Sequence, residues 1–219
     1  MLIIHIIAGS FLLLFGVGAL YFSKGQSKHR VAGNLFFLSL LAMVLSVPKL
    51  LEDPVMAILS AYYGTTAWAI VLRKENSTGI FEILAMLAIT IVSIILFNVV
   101  LTSTSLPPTF KFILSTWAVV TALSAMLDLN MIVRGGLSGK HRIARHAWRT
   151  CCALLGAVMS FSINTDKYWP DFVNNNILIY LTIGILLFWV FRILATKWFE
   201  KSNKSFKRNM SITMIFSKL

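Results

Sequence analysis

The chain has 219 residues, of which 58% are hydrophobic and only 13% charged, with a mean hydropathy of +0.80 and a formal net charge of +12. This balance excludes a soluble enzyme domain, a disordered chain and a collagen-like repeat, and the 2 cysteines exclude a disulfide scaffold. What remains is an integral membrane protein.

A helix needs about 20 mostly apolar residues to cross the hydrocarbon core with its backbone hydrogen bonds satisfied internally. On that criterion the sequence predicts an all-α, up-and-down bundle of about seven transmembrane helices, near residues 2–22, 31–51, 54–72, 79–101, 110–133, 144–163 and 176–195. The first apolar run has no basic residue before it and no small-residue cleavage site before Lys24, so it is expected to remain as helix one. Short connections leave no room for a separate soluble domain, and residues 1–196 form a single transmembrane unit. Residues 197–219 mix Lys and Arg with Trp198, Phe199, Phe206 and Phe216, a composition suited to lying on an anionic membrane surface.

Charge placement orients the bundle. With the amino terminus outside, only Lys49, Lys111 and Lys167 of the 20 Lys and Arg residues fall on the outer side. Inside lie Lys24, Lys28, Arg30, Arg73, Lys74, Arg134, Lys140, Arg142, Arg145, Arg149, Arg192, Arg208 and the tail lysines, so the carboxyl terminus is expected inside. The basicity then calls for no nucleic-acid partner, because the lipid bilayer and its anionic head groups meet the positive charge.

The segment before helix two, Ser27-Lys28-His29-Arg30-Val31-Ala32, is echoed before helix six by Gly139-Lys140-His141-Arg142-Ile143-Ala144. Helices two and six enter the membrane in the same direction, as a parallel duplication requires, although Lys- and Arg-rich loops at this face are common in any case. The second copy continues into Arg145-His146-Ala147-Trp148-Arg149. At about 100° per residue, Arg142, Arg145, His146 and Arg149 share roughly a third of the helix circumference, forming a cationic stripe at a helix amino terminus. Such a stripe suits phosphate, carboxylate or a lipid head group; the alternative is that these residues anchor the helix by snorkelling, with Trp148 in the aromatic belt. Arg149 lies deepest. Asp128, the one acid well inside a predicted span, is its expected partner by depth, and Glu82 at the cytoplasmic start of helix four and Arg192 near that end of helix seven are candidates to join the same cluster.

Four histidines are present, His5, His29, His141 and His146. A b-type haem at the cytoplasmic side would use His29 with His141 or His146, with arginines meeting its propionates. The alternative is that all three are basic interfacial residues. No His-x-x-x-His or Cys-x-x-Cys spacing suggests zinc, and no phosphate-binding loop, nucleophile elbow or carboxylate pair suggests catalysis. Cys151 and Cys152, adjacent on a helix, point in different directions and read as packing residues. In helix three, Tyr62-Tyr63-Gly64-Thr65-Thr66-Ala67-Trp68 places hydroxyls where they are expected to bond across to another helix or to a backbone carbonyl.

Together, His5-x-x-x-Gly9, Lys24-Gly25 with His29-Arg30-x-x-Gly33, and Arg142-Ile143-Ala144-Arg145-His146-x-Trp148-Arg149 resemble a family of uncharacterised bacterial multi-pass membrane proteins, classed as a domain of unknown function. The resemblance implies a multi-pass protein of the bacterial cytoplasmic membrane and brings no activity with it. Similarity to transmembrane b-type cytochromes is a looser analogy, resting on histidines in a helical bundle. The leading expectation is non-enzymatic binding or transport of an anionic or lipid-like ligand by Arg142, Arg145, His146 and Arg149, with Asp128 setting the interior charge. The alternatives are a haem-binding electron carrier, or a scaffold or assembly factor of a membrane complex; a homo-oligomer is compatible with each.

Overall fold

Six helices follow one another in the computed structural model, which describes residues 2–46 and 54–165 and scattered positions between 168 and 192. They are α1 (Leu2–Tyr21), α2 (Ser27–Leu45), α3 (Pro54–Leu72), α4 (Ile80–Thr102), α5 (Pro108–Val133) and α6 (Gly139–Thr165), and no strand occurs among the described residues. Helices α1 to α5 are each long and apolar enough to cross a membrane. Their outward faces are apolar as well: Ile3, Leu14 and Val17 on α1, Leu84, Ile91 and Ile94 on α4 and Phe112, Leu123 and Met126 on α5 are exposed. A surface of this kind is costly in water and matched to lipid.

The seventh predicted span, 176–195, falls largely outside the described residues, and the basic tail, 197–219, entirely outside them. Two helix starts differ from expectation by four residues or more. Helix α2 begins at Ser27, four residues before the predicted start at Val31, and α6 begins at Gly139, five before Ala144. Hydropathy marks only the apolar part of a helix, whereas Lys and Arg are good helix formers and extend the same helix toward the interface. The cationic stripe therefore lies within the first three turns of α6 rather than at its first residue.

Chain neighbours pair closely in α1 with α2 and in α4 with α5, but the third close pair is α3 with α6, which are far apart in sequence. Although consecutive, α5 and α6 make no close backbone approach among the described residues. Small residues also allow close contacts between helices outside these pairs. A Cβ at Gly64 on α3 would lie 2.8 Å from Leu40 Cδ2 on α2, and one at Gly16 on α1 would lie 2.9 Å from Leu154 Cδ1 on α6. Ala153, Gly156 and Ala157 present the flat side of α6, with Gly156 opposite Ser60 of α3. The core they enclose includes Leu12, Leu40, Tyr63, Ile89, Trp117 and the free thiol Cys152.

The turn from α5 into α6 is built by glycine. Gly135, with φ 71°, donates from its N–H to Ile132, and Gly136, with φ 127°, donates to Met131, the paired bonds of a Schellman ending. This turn docks on the 73–79 loop, where Asn76 N–H donates to Leu137 O at 3.1 Å and Gly139 N–H donates to Glu75 Oε1 at 3.2 Å.

Candidate functional site: a buried arginine pair around Asp128

The faces of three helices converge on one carboxylate. Ser124 and Asp128 stand one turn apart on α5, and consecutive tyrosines of α3 meet them: Tyr62 donates its hydroxyl hydrogen to Asp128 Oδ2 at 2.7 Å, and Tyr63 shares a 2.9 Å hydrogen bond with Ser124. From α6, Arg145 Nη1 reaches Asp128 Oδ1 at 2.5 Å, and Arg149 Nη2 donates to the same oxygen. Arg149 Nη2 also donates to Tyr62 Oη at 2.8 Å. Its guanidinium carbon lies 4.8 Å from the Tyr62 ring centroid and 5.1 Å from that of Trp148, so aromatic faces flank the charge. Asp128 and Arg149 are 0% exposed and Arg145 6%.

The balance of this cluster is uneven. One carboxylate faces two guanidinium groups, which leaves a buried excess of positive charge. Arg145 Nε, Arg149 Nε and Arg149 Nη1 have no acceptor among the described residues. Buried N–H groups of an ionised side chain are costly to leave unpaired, which makes these donors a defined place for an anion or water to add. A void of about 10 Å³, room for about one water molecule, lies between Arg145 and Glu82. Glu82 itself is buried on α4, paired with Arg73 Nε at 2.6 Å and accepting from Gly79 N–H at 2.8 Å. That second contact is the backward half of a capping box at the start of α4.

The remaining members of the stripe act on the end of α3. Arg142 donates to three carbonyls there, Ile70 at 2.7 Å, Val71 at 2.8 Å and Arg73 at 2.6 Å, and lies 3.6 Å from Glu75. It thereby occupies carbonyls that a helix carboxyl terminus leaves open, with charge of the favourable sign. His146 Nδ1 donates to Ala67 O at 2.8 Å. Of the five residues expected to form a ligand site, Asp128, Arg145 and Arg149 thus come together, while His146 and Arg142 bind the backbone at the end of α3, His146 nearer to Tyr62 and Arg142 beyond it.

His29 has the same arrangement as His146, with Nδ1 donating to Ala19 O of α1 at 2.9 Å. His141 lies on the exposed side of the first turn of α6. Lys24, between α1 and α2, donates to Ala19 and Leu20 carbonyls at 2.7 and 2.8 Å, and partial burial holds its pKa below the ordinary lysine value. His5, far from this group, donates to Met43 O at 3.0 Å and ties α1 to α2. Among the described residues no group of three or more His, Cys, Asp or Glu side chains is placed to hold a metal ion.

Sequence reasoning paired Asp128 with Arg149 by depth but missed Tyr62 as the third partner. The available signal was the tyrosine pair of α3 against the Ser124 and Asp128 spacing on α5, two polar faces each needing a buried counterpart. No family model matches the chain, and neither a curated protein nor a solved structure matches it.

Proposed function

We propose that the chain is a seven-helix protein of a bacterial cytoplasmic membrane, amino terminus outside and carboxyl terminus inside, of the multi-pass family its His-Arg motifs resemble. In this reading it binds or moves an anionic, lipid-like ligand at the Arg and His face of α6. The apolar outward surfaces and the one-sided distribution of Lys and Arg support the placement. The observation that carries the ligand is the buried pair Arg145 and Arg149, which outnumber Asp128 and keep three donor nitrogens without an acceptor among the described residues. An anion added there would restore neutrality and accept those bonds where water competes weakly.

Thermal unfolding of the detergent-solubilised protein against rising chloride, phosphate or short-chain phosphatidate, at constant ionic strength, tests this reading. The anion that binds raises Tm by mass action, its stabilisation reaching about 2.7 kcal/mol at a hundred times its Kd. In Arg145→Gln that dependence is lost. If no anion acts beyond the ionic-strength control, the cluster is a structural clamp and the ligand reading falls.

A second reading follows from the histidines. With Nδ1–H of both His29 and His146 donated to carbonyls, each Nε2 keeps its lone pair, the orientation in which a haem-ligating imidazole is normally held. A sharp reduced α-band after dithionite, lost in His29→Ala, supports that reading, and a featureless visible spectrum from haem-supplied cells removes it.

A further inference from the structure

A groove of about 560 Å³ lies along the carboxyl-terminal half of α3, between α2 and α4. It exists because α3 approaches α2 and α4 much less closely than it approaches α6. Its volume falls within the roughly 300–1,000 Å³ of small-ligand pockets. One wall is stiff: Phe37 of α2 and Trp68 of α3 stack with centroids 4.6 Å apart and planes 7° apart, and Trp68 Nε1 donates to Asn34 Oδ1 at 3.3 Å. Leu72 and Phe81, both exposed, continue the apolar lining. Thr65 adds no free donor, because its hydroxyl is turned back to Ala61 O at 2.6 Å.

Chemistry changes at one end, where Arg73 and Lys74 close the groove and no acid belongs to its lining among the described residues. Arg73 is held in place by Glu82, which cancels one of these two charges, so the mouth keeps the positive charge of Lys74 with a half-buried guanidinium beside it. From Thr65 to Leu72 the lining runs along roughly 10 Å of helix, about the depth to which the upper part of an acyl chain would extend from its head group. An apolar channel this long with cations only at its mouth is complementary to an amphiphile and not to a small soluble anion.

We propose that this groove holds an anionic phospholipid of the leaflet on the Arg73 and Lys74 side, with its phosphate at those residues and a chain against Phe37, Trp68, Leu72 and Phe81. The proposal rests on the membrane placement argued above but not on the Arg145 and Arg149 pair as a ligand site. The groove and the void beside Arg145 share Ala69 and Phe81 and are linked by the Arg73–Glu82 ion pair, but neither Arg145 nor Arg149 lines the groove.

Trp68 reports on the groove directly. Wild-type protein and Trp68→Phe are reconstituted in vesicles of phosphatidylcholine containing either brominated phosphatidylglycerol or brominated phosphatidylcholine, and tryptophan quenching is compared; the difference between the two proteins isolates Trp68. Brominated phosphatidylglycerol is expected to quench Trp68 preferentially, with the preference reduced by at least about fivefold in Lys74→Glu. Ala69→Leu, which fills the groove, is expected to abolish it. Arg145→Gln leaves the preference intact, which separates failure here from failure of the buried anion site. Equal quenching by the two lipids, an unchanged preference in Lys74→Glu, or displacement by millimolar inorganic phosphate would each overturn the proposal.

Discussion

Tyr62 and Arg149 share one hydroxyl oxygen: it accepts from Arg149 Nη2 at 2.8 Å while its hydrogen is donated to Asp128 Oδ2 at 2.7 Å. That oxygen closes a ring across α3, α5 and α6. Because α5 and α6 make no close backbone approach, the long arginine arms and this ring are what join them. The ring also explains how a helix with Lys140, Arg142, Arg145 and Arg149 in its first half can be packed so deeply, since its buried cations are drawn toward an acid supplied by a neighbour.

Asp128→Asn leaves two buried guanidinium groups without their counter-charge. Removing one partner of a buried ion pair costs about 3–5 kcal/mol, so Asp128→Asn should unfold far earlier than wild type in a detergent melt. The triple variant Asp128→Leu, Arg145→Met, Arg149→Met removes all three charges and should lie close to wild type or above it. A single Asp128→Asn variant within about 0.5 kcal/mol of wild type would show that the carboxylate does not neutralise the pair.

The two tyrosines of α3 should separate in their effects. Tyr62→Phe deletes a hydroxyl bonded to two ionised groups and should cost about 2–3 kcal/mol, whereas Tyr63→Phe deletes a neutral bond to Ser124 and should cost about 1 kcal/mol. A double-mutant cycle of Tyr62→Phe with Asp128→Asn should show coupling of at least about 0.5 kcal/mol, and additive losses would contradict the shared ring.

Gly136 and Gly135 both have positive φ, but only Gly136 is crowded. A Cβ there would lie 2.3 Å from Ser77 N and 2.6 Å from the Asn76 carbonyl carbon, while one at Gly135 meets nothing within 4 Å. Gly135→Ala should therefore cost about 1 kcal/mol, from backbone conformation alone. Gly136→Ala must also push the 73–79 loop away from α6, and a loss of roughly 2–3 kcal/mol is expected. Equal melting of the two variants would mean that the loops are not docked as described.

The orientation can be read by labelling. Cys151 and Cys152 are buried, so background reaction with a membrane-impermeant maleimide should be low. Lys111→Cys is expected to react in intact cells and Lys28→Cys only after permeabilisation. The reverse pattern would invert the bundle and place the groove mouth at Lys74 in the outer leaflet.

Much of this architecture is a local property of the chain. Runs of apolar residues such as 80–102 fill a helix on every side, which is why five membrane-length helices and their approximate limits follow from composition in short windows. The cost of an isolated carboxylate likewise singles out Asp128 without knowledge of its surroundings, and its depth points to α6. Tertiary structure decided what periodicity does not encode. That α6 lies along α3, that Arg142 covers the α3 carbonyls while Arg145 and Arg149 turn to Asp128, and that Tyr62 completes the ring depend on which helix faces meet. Several apolar faces are nearly interchangeable as packing surfaces in lipid, where no hydrophobic drive ranks them. The choice among them falls to glycine contacts such as Gly64 against Leu40 and to polar groups that must find each other, and these are relations between residues far apart in the chain.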